Sequence, residues 1–136
     1  MIQRLQSVWL LVAAVLAALT FIFPFYSGKI IINGEFLNLT ASSHPATLIL
    51  TGALTSGCLI IIFLYKNRKL QLRLTILAIV ISLLDIIIYV SQMNKFSHGN
   101  LSFAAIIAIS IPLFLFLAAR GIGKDEKLIK SLDRLR

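Results

Sequence analysis

Four long runs of hydrophobic residues, separated by shorter polar stretches, dominate the sequence. The runs cover residues 8–26, 48–65, 72–90 and 101–119, and each has the roughly 17 to 25 residues that a helix needs to cross a lipid bilayer. Asp85 is the charged residue that lies well inside one of them. The pattern predicts four transmembrane helices, and the short later connections favour an up-down-up-down bundle.

The composition agrees with a membrane protein. Hydrophobic residues make up 59% of the 136 positions and charged residues only 13%, with a mean hydropathy of +0.96. A soluble domain of this length carries about a quarter charged residues. We therefore predict an all-α membrane protein in which residues 1–136 form one four-span domain.

The basic residues lie mostly on one side of the predicted spans. Eleven of the 13 Lys and Arg residues flank the spans on the side of the amino end, the 66–73 loop and the tail, whereas Lys29 and Lys95 lie on the other side. Basic flanks stay in the cytoplasm, so we predict that both termini are cytoplasmic. The same clustering at span ends explains the net charge of +8 without nucleic-acid binding.

Between the first two spans, the external segment 27–45 contains a hairpin pattern. Residues 30–32 and 35–37 are mainly apolar and flank Asn33-Gly34, a pair favoured in type I′ turns because both positions need a positive φ. The sequence predicts a short external β-hairpin. Its exposed apolar residues fit two roles, a lid on the bundle or an element that binds a partner protein.

A polar stripe runs along the third predicted span. Ser82, Asp85 and Tyr89 share one helix face, and Thr51 and Thr55 of the second span lie at a similar depth. A carboxylate inside a bilayer is costly and is a functional-site hypothesis by default. With no basic residue at that depth, we expect Asp85 to be protonated or to contact water.

Two interpretations of this candidate intramembrane polar site stay open. In the first, Asp85 binds a proton or cation that enters from the outside, with hydroxyl groups as supporting ligands. In the second, the polar groups join helices and fix their register, a contribution commonly worth about 0.6 to 2 kcal/mol.

Within the cytoplasmic tail 120–136, the segment Gly123 to Arg136 predicts an amphipathic helix on the cytoplasmic membrane surface. Apolar residues recur in it at helical spacing among many cations, a pattern that favours the anionic cytoplasmic leaflet or a docking protein. The candidate lipid or partner contacts are Arg4, Lys124, Lys127, Lys130, Arg134 and Arg136.

Small residues in the spans permit close helix packing, within one chain or in a homo-oligomer.

Catalytic chemistry finds little support in the sequence. His44 and His98 are single and external, Cys58 is the one cysteine, and no Gly-rich phosphate loop occurs. A serine without an intramembrane base has nothing to activate it. We therefore expect no catalytic activity, no catalytic residue, no metal and no cofactor.

The two ends of the chain carry distinctive stretches, MIQRLQS at 1–7, RGI at 120–122 and KDEKLIKSLDRLR at 124–136. These stretches resemble the opening and closing segments of an uncharacterised family of small four-span membrane proteins from Bacteroidota, defined as a domain of unknown function. The resemblance implies that the protein lies in the inner membrane of a Gram-negative cell, so that its external side faces the periplasm. It also implies that the functional emphasis lies on the cytoplasmic ends of the chain.

From these observations we expect a non-catalytic accessory or scaffold protein of the inner membrane, which presents its basic cytoplasmic ends to lipid or to a membrane or cytoplasmic partner protein. The alternative is a small transporter or ion-coupled sensor built around Asp85.

Overall fold

Four helices and a small antiparallel sheet make up the protein. The computed structural model describes the backbone of residues 2–134 and the side chains of residues 5–129 and 131. The helices are α1 (Ile2–Leu19), α2 (Pro45–Phe63), α3 (Arg68–Met93) and α4 (Phe103–Arg134), and the strands are β1 (Tyr26–Ile30), β2 (Phe36–Leu39) and β3 (Phe96–Leu101).

The helices pack side by side in a ring. In it, α1 contacts α2 and α4, and α3 contacts the same two helices. The sheet covers one end of the ring, here called the sheet end, and the α2–α3 connection lies at the other. Of the described residues, three helical segments are long and apolar enough to cross a membrane: Pro45–Phe63, Arg68–Met93 and Phe103–Ile129.

All four helices bury their residues with the same period. Along each, a series of buried positions alternates between four and three residues apart, the 3.5-residue repeat of helices that coil around each other with a left-handed twist. These positions are Gln6, Leu10, Ala13 and Ala17 in α1; Thr47, Thr51, Leu54, Cys58 and Ile61 in α2; Gln71, Thr75, Ala78, Ser82, Asp85 and Tyr89 in α3; and Ala104, Ala108, Ile111, Leu115, Ala118, Ile122 and Asp125 in α4. Ala14 and Ala105 are buried as well, beside this series.

Apolar side chains cover the outside of the ring as well as its core, unlike in a water-soluble protein. Small and polar side chains such as Ala13, Thr51 and Thr75 are buried between the helices, while large apolar side chains such as Phe63 and Ile87 are 79% and 62% exposed. Helices that are apolar all round are typical of proteins surrounded by other apolar material. The outward faces of α2, α3 and α4 therefore match lipid better than water.

The first helix is shorter than the predicted run 8–26. It ends at Leu19, and the last amide of the turn that follows is Phe23 N, which donates to Leu19 O over 2.9 Å. Pro24 comes next, and a proline disfavours the helical conformation in the residue before it. Continuous hydrophobicity up to Tyr26 therefore overestimated the helix.

The last helix is longer than predicted. We predicted a span at 101–119 and a separate amphipathic helix in the tail, but α4 continues unbroken from Phe103 to Arg134. The tail is helical as predicted, and the prediction that it forms its own helix is wrong. Glycines at 121 and 123 lower helix propensity by only about 1 kcal/mol each, and burial of Ile122 offsets this cost.

A hairpin forms between α1 and α2, but with a different register from the predicted one. Its strands pair Tyr26 with Leu39 and Lys29 with Phe36, so residues 31–35 form the connection. Only Gly34 in this connection has a positive φ, +67°, which excludes a type I′ turn at Asn33-Gly34. At the tip, Ile32 is 88% exposed.

A third strand, β3, was not predicted. It pairs with β1 and makes β1 the central strand of the order β2-β1-β3. The pairing brings Gly28 opposite Gly99, where a Cβ on Gly28 would lie 2.5 Å from His98 O. The two glycines therefore permit a close approach that any side chain would prevent.

The sheet packs on the helix ends through its base, whereas Ile31, Ile32 and Phe36, on which the lid interpretation depended, are 61%, 88% and 67% exposed. Phe25 and Leu39 are buried there against Tyr89, Ala105 and Ala108. A backbone hydrogen bond also joins the segment after β2 to the end of α1, since Ala41 N donates to Thr20 O over 3.1 Å.

Candidate functional site

Asp85 lies between α2 and α3, buried to 6% exposure. The Thr51 hydroxyl donates a hydrogen bond of 2.8 Å to Asp85 Oδ2. Both residues occupy positions of the buried repeat, which explains why their side chains meet. The bond joins two helices through a carboxylate, an arrangement that serves either of the interpretations drawn from the sequence.

Tyr89 lies one turn closer to the sheet. Its ring stacks on Phe25 with centroids 4.7 Å apart, and its hydroxyl faces Thr20, Thr51 and Asp85. Among the described residues, neither the Tyr89 hydroxyl nor Asp85 Oδ1 has a hydrogen-bond partner, although both atoms are buried. Buried polar atoms without a partner are uncommon in folded proteins. Asp85 Oδ1 therefore marks a point in the ring where one more hydrogen bond can form, whereas the Tyr89 hydroxyl lies close to the Thr20 and Thr51 hydroxyls.

The other predicted members of the site bond within their own helices. Ser82 is buried and donates to Ile79 O over 2.7 Å, and Thr55 donates to Thr51 O over 2.8 Å. Thr51 is thus the predicted partner that bonds to Asp85. Among the described residues, no three His, Cys, Asp or Glu side chains are grouped so that they could hold a metal ion.

A second polar site, which the sequence analysis missed, lies at the opposite end of the ring. Asp125 of α4 is 6% exposed. Its Oδ2 accepts a hydrogen bond of 2.6 Å from Gln6 Nε2 of α1 and lies 3.2 Å from Arg68 Nη1 of α3. Gln71 reinforces this end by donating from Nε2 to Ile61 O over 3.1 Å. We call this end of the ring the Asp125 end.

The burial of Asp125 could have been predicted from the spacing of residues along α4. Leu115, Ala118, Ile122 and Asp125 continue the buried repeat of α4, as Gln6 begins that of α1. In the sequence, Asp125 stands in a run of alternating charges that resembles a solvated surface. Periodicity, rather than local composition, identifies the buried carboxylate.

Basic side chains from separate parts of the chain gather at the Asp125 end. Lys66, Arg68, Lys69 and Arg73 line one groove there together with Glu126 and Ile129 of α4. Lys124 and Lys127, predicted as lipid or partner contacts, are exposed nearby. The side chains of Arg4, Lys130 and Arg134, and the whole of Arg136, lie outside the described residues.

The comparisons with known proteins identify a family and no function. Neither a curated protein nor a solved structure matches the chain. A protein-family model described as domain of unknown function DUF4293 matches residues 2–135, which is nearly the whole sequence and agrees with the expectation of such a domain. The chain therefore belongs to the DUF4293 family.

Proposed function

We propose that the protein is an integral membrane protein in which all four helices of the ring span the bilayer as an up-down-up-down bundle. The apolar outer faces of α2, α3 and α4 support this. The apolar part of α1, Leu5–Leu19, extends about 22 Å, and the apolar turn that follows it up to Phe23 continues the stretch toward the ~30 Å hydrocarbon core. The excess of basic residues at the Asp125 end supports a cytoplasmic location for both termini.

Within this arrangement, the function that we propose is that of a non-catalytic accessory or scaffold component. The observation that carries it is the gathering of cations from the α2–α3 connection, α3 and α4 at one end of the ring. Each cation close to an anionic membrane surface contributes about 1 kcal/mol. The Asp125 end therefore binds the anionic headgroups of the cytoplasmic leaflet, and a partner protein with an acidic surface is the alternative occupant.

The proposed location is the inner membrane of a Gram-negative cell. It is supported by the resemblance of residues 1–7 and 120–136 to small membrane proteins from Bacteroidota. In that location the sheet end faces the periplasm. Small residues on the outside of α2, such as Gly52 and Ser56, also permit self-association. The molecular mass of the protein in lipid nanodiscs tests whether it forms a homo-oligomer.

Reporter fusions test the orientation. We expect a reporter that is active only in the cytoplasm to work when it is fused after residue 136 and to fail when it is inserted at residues 31–34. An external reporter should show the opposite pattern. Activity of the external reporter at residue 136 would reverse the orientation and remove the basic end from the anionic leaflet.

Lipid selectivity tests the function. The protein, extracted in mild detergent from nanodiscs of equal parts anionic and zwitterionic phospholipid, should retain more anionic lipid, as measured by native mass spectrometry. Higher salt should reduce the difference because charges screen it. Equal retention of the two lipids at low salt would contradict the proposal.

A second candidate function is a small transporter or ion-coupled sensor built around Asp85. The buried Asp85 Oδ1, which has no hydrogen-bond partner among the described residues, favours it. Proton or cation uptake into proteoliposomes would support this candidate if Asp85→Asn abolished the uptake. An accessory protein should show no such uptake and should tolerate the substitution.

A further inference from the structure

The groove at the Asp125 end combines positive charge with two apolar side chains. It has a volume of about 530 Å³ and is lined by four cations, of which Lys66, Lys69 and Arg73 are exposed, and one carboxylate, that of Glu126. The fourth cation, Arg68, also holds Asp125. Leu70 and Ile129 lie among these charges, so the groove offers both charged and apolar contacts.

A second groove lies between α2 and α3 and is entirely apolar. Its volume is about 190 Å³, and its walls include Gly57 and Ile60 of α2 and Leu74 of α3. At Gly57 an added Cβ would meet no atom within 4 Å. The glycine therefore leaves an open slot in the outward face of the helix pair.

The two grooves have α3 in common, while Glu126 and Ile129 of α4 line the charged one and residues of α2 line the apolar one. One line of residues on α3 connects them. Leu70 lines the first groove, while Leu74, Leu77 and Ile81 line the second. Their spacings of four, three and four residues place them on one face of the helix. Arg73 lies beside this line, at the level where charged lining gives way to apolar lining.

We propose that the two grooves form a single site for one anionic diacyl phospholipid. Lys66, Lys69 and Arg73 bind the phosphate, and an acyl chain lies along Leu74 and Leu77 beside Gly57. A ligand with a charged head and a long apolar chain is complementary to both grooves, whereas a phosphopeptide or a nucleic acid is complementary to the charged groove alone. The inference rests on the proposed function, since it requires the Asp125 end to lie at the anionic leaflet.

Two charge-matched variants test the site. Lys69→Gln with Arg73→Gln removes two exposed cations inside the charged groove, and Lys124→Gln with Lys127→Gln removes two exposed cations outside it at the same end. Both double variants should unfold at the wild-type temperature. Binding of a single anionic phospholipid, measured by native mass spectrometry after release from nanodiscs, should weaken roughly thirtyfold in the first variant. In the second, which leaves the groove intact and lowers only the general attraction of the basic end to the leaflet, binding should weaken several times less, by about fivefold or less.

The outcomes separate the site from the general function. Equal losses in the two double variants would overturn the site and leave a diffuse attraction of the basic end to lipid. An absence of anionic preference in the wild-type protein would overturn the proposed function itself, and the site with it.

A third variant tests the acyl slot. Gly57→Leu fills the apolar groove and should lower retention of the intact phospholipid while leaving binding of water-soluble glycerol phosphate unchanged. Undiminished retention of the phospholipid by a folded Gly57→Leu protein would show that the acyl chain lies elsewhere and would overturn the two-groove site. If glycerol phosphate competes as strongly as the phospholipid in wild-type protein, the groove binds free phosphate and the proposal is wrong.

Discussion

Gln6 and Asp125 lie 119 positions apart in the sequence and are joined by a 2.6 Å hydrogen bond. The bond ties the first turns of α1 to the extension of α4, and Arg68 adds α3 to the same carboxylate oxygen. A buried carboxylate of this kind is stabilised by its donors, and its removal leaves those donors unsatisfied. Three of the four helices are therefore held at this end by one side chain.

The first prediction concerns this carboxylate. Asp125→Ala should destabilise the protein by about 1–3 kcal/mol because the Gln6 amide and the Arg68 guanidinium lose their acceptor. Thermal unfolding in mild detergent measures the effect. Lys127→Gln, an exposed substitution two positions later, serves as the control and should leave the transition unchanged. An Asp125→Ala protein as stable as the control would show that the contact contributes nothing.

The second prediction concerns truncation of the tail. A chain that ends after residue 122 loses Asp125, whereas one that ends after Lys127 keeps the contact with Gln6 and Arg68. We expect the shorter chain to accumulate poorly in membranes and the longer one to accumulate like wild type, by quantitative immunoblotting. Equal accumulation of the two would mean that the tail is dispensable for folding, as a separate surface helix would be.

Hydrophobicity predicted where the helices lie but not where they end. The runs 48–65 and 72–90 fall largely or wholly within α2 and α3, because continuous apolar stretches of this length have few alternatives to a helix. The ends depend on local chemistry, such as the stop imposed by Pro24 and the capping of α2, where Ala46 N donates to His44 Nδ1 over 3.2 Å. Hydropathy averages do not contain that information.

The polar site was predicted in part for a similar reason. Helical spacing brought Ser82, Asp85 and Tyr89 to one face, and all three are buried. Which hydroxyl reaches the carboxylate depends on the relative rotation of α2 and α3, and Thr51 bonds to Asp85 where Thr55 bonds to its own helix. The strand β3 was not predicted because its sequence, FSHGNL, lacks the alternation of apolar and polar residues that indicates a strand. It forms by pairing with β1, a tertiary contact that the local sequence does not show.

The third prediction separates the structural contribution of the Asp85 contact from any function in transport. Thr51→Val removes the donor to Asp85 Oδ2 while preserving shape, and should cost about 0.5–2 kcal/mol of stability. Thr55→Val is the matched control, because its hydroxyl bonds to the Thr51 carbonyl of its own helix, and it should cost less. Unfolding by a denaturing detergent compares the two variants.

Equal stability of Thr51→Val and Thr55→Val would also bear on the function of Asp85. If Thr51→Val and Thr55→Val were equally stable, the bond to Asp85 would not hold α2 to α3. Asp85 would then retain no structural role from that contact, and the transporter or sensor candidate would gain weight over the accessory protein.

The fourth prediction concerns the close approach of β1 and β3. Gly99→Ala should destabilise the sheet end by about 1–3 kcal/mol, since the new Cβ would lie 2.5 Å from the Tyr26 ring and 2.6 Å from Ser27 O. Gly57→Ala adds the same methyl group where no atom lies within 4 Å, and within a helix it should be neutral or stabilising by up to about 1 kcal/mol. Hydrogen exchange of the β1 amides and the thermal transition report the two effects. If β3 helps to hold the sheet on the helices, amide exchange in Gly99→Ala should rise first at β1 and then at Ala41, whose amide bonds to Thr20 O. Unchanged exchange at both places would mean that β3 is not needed to hold the sheet there.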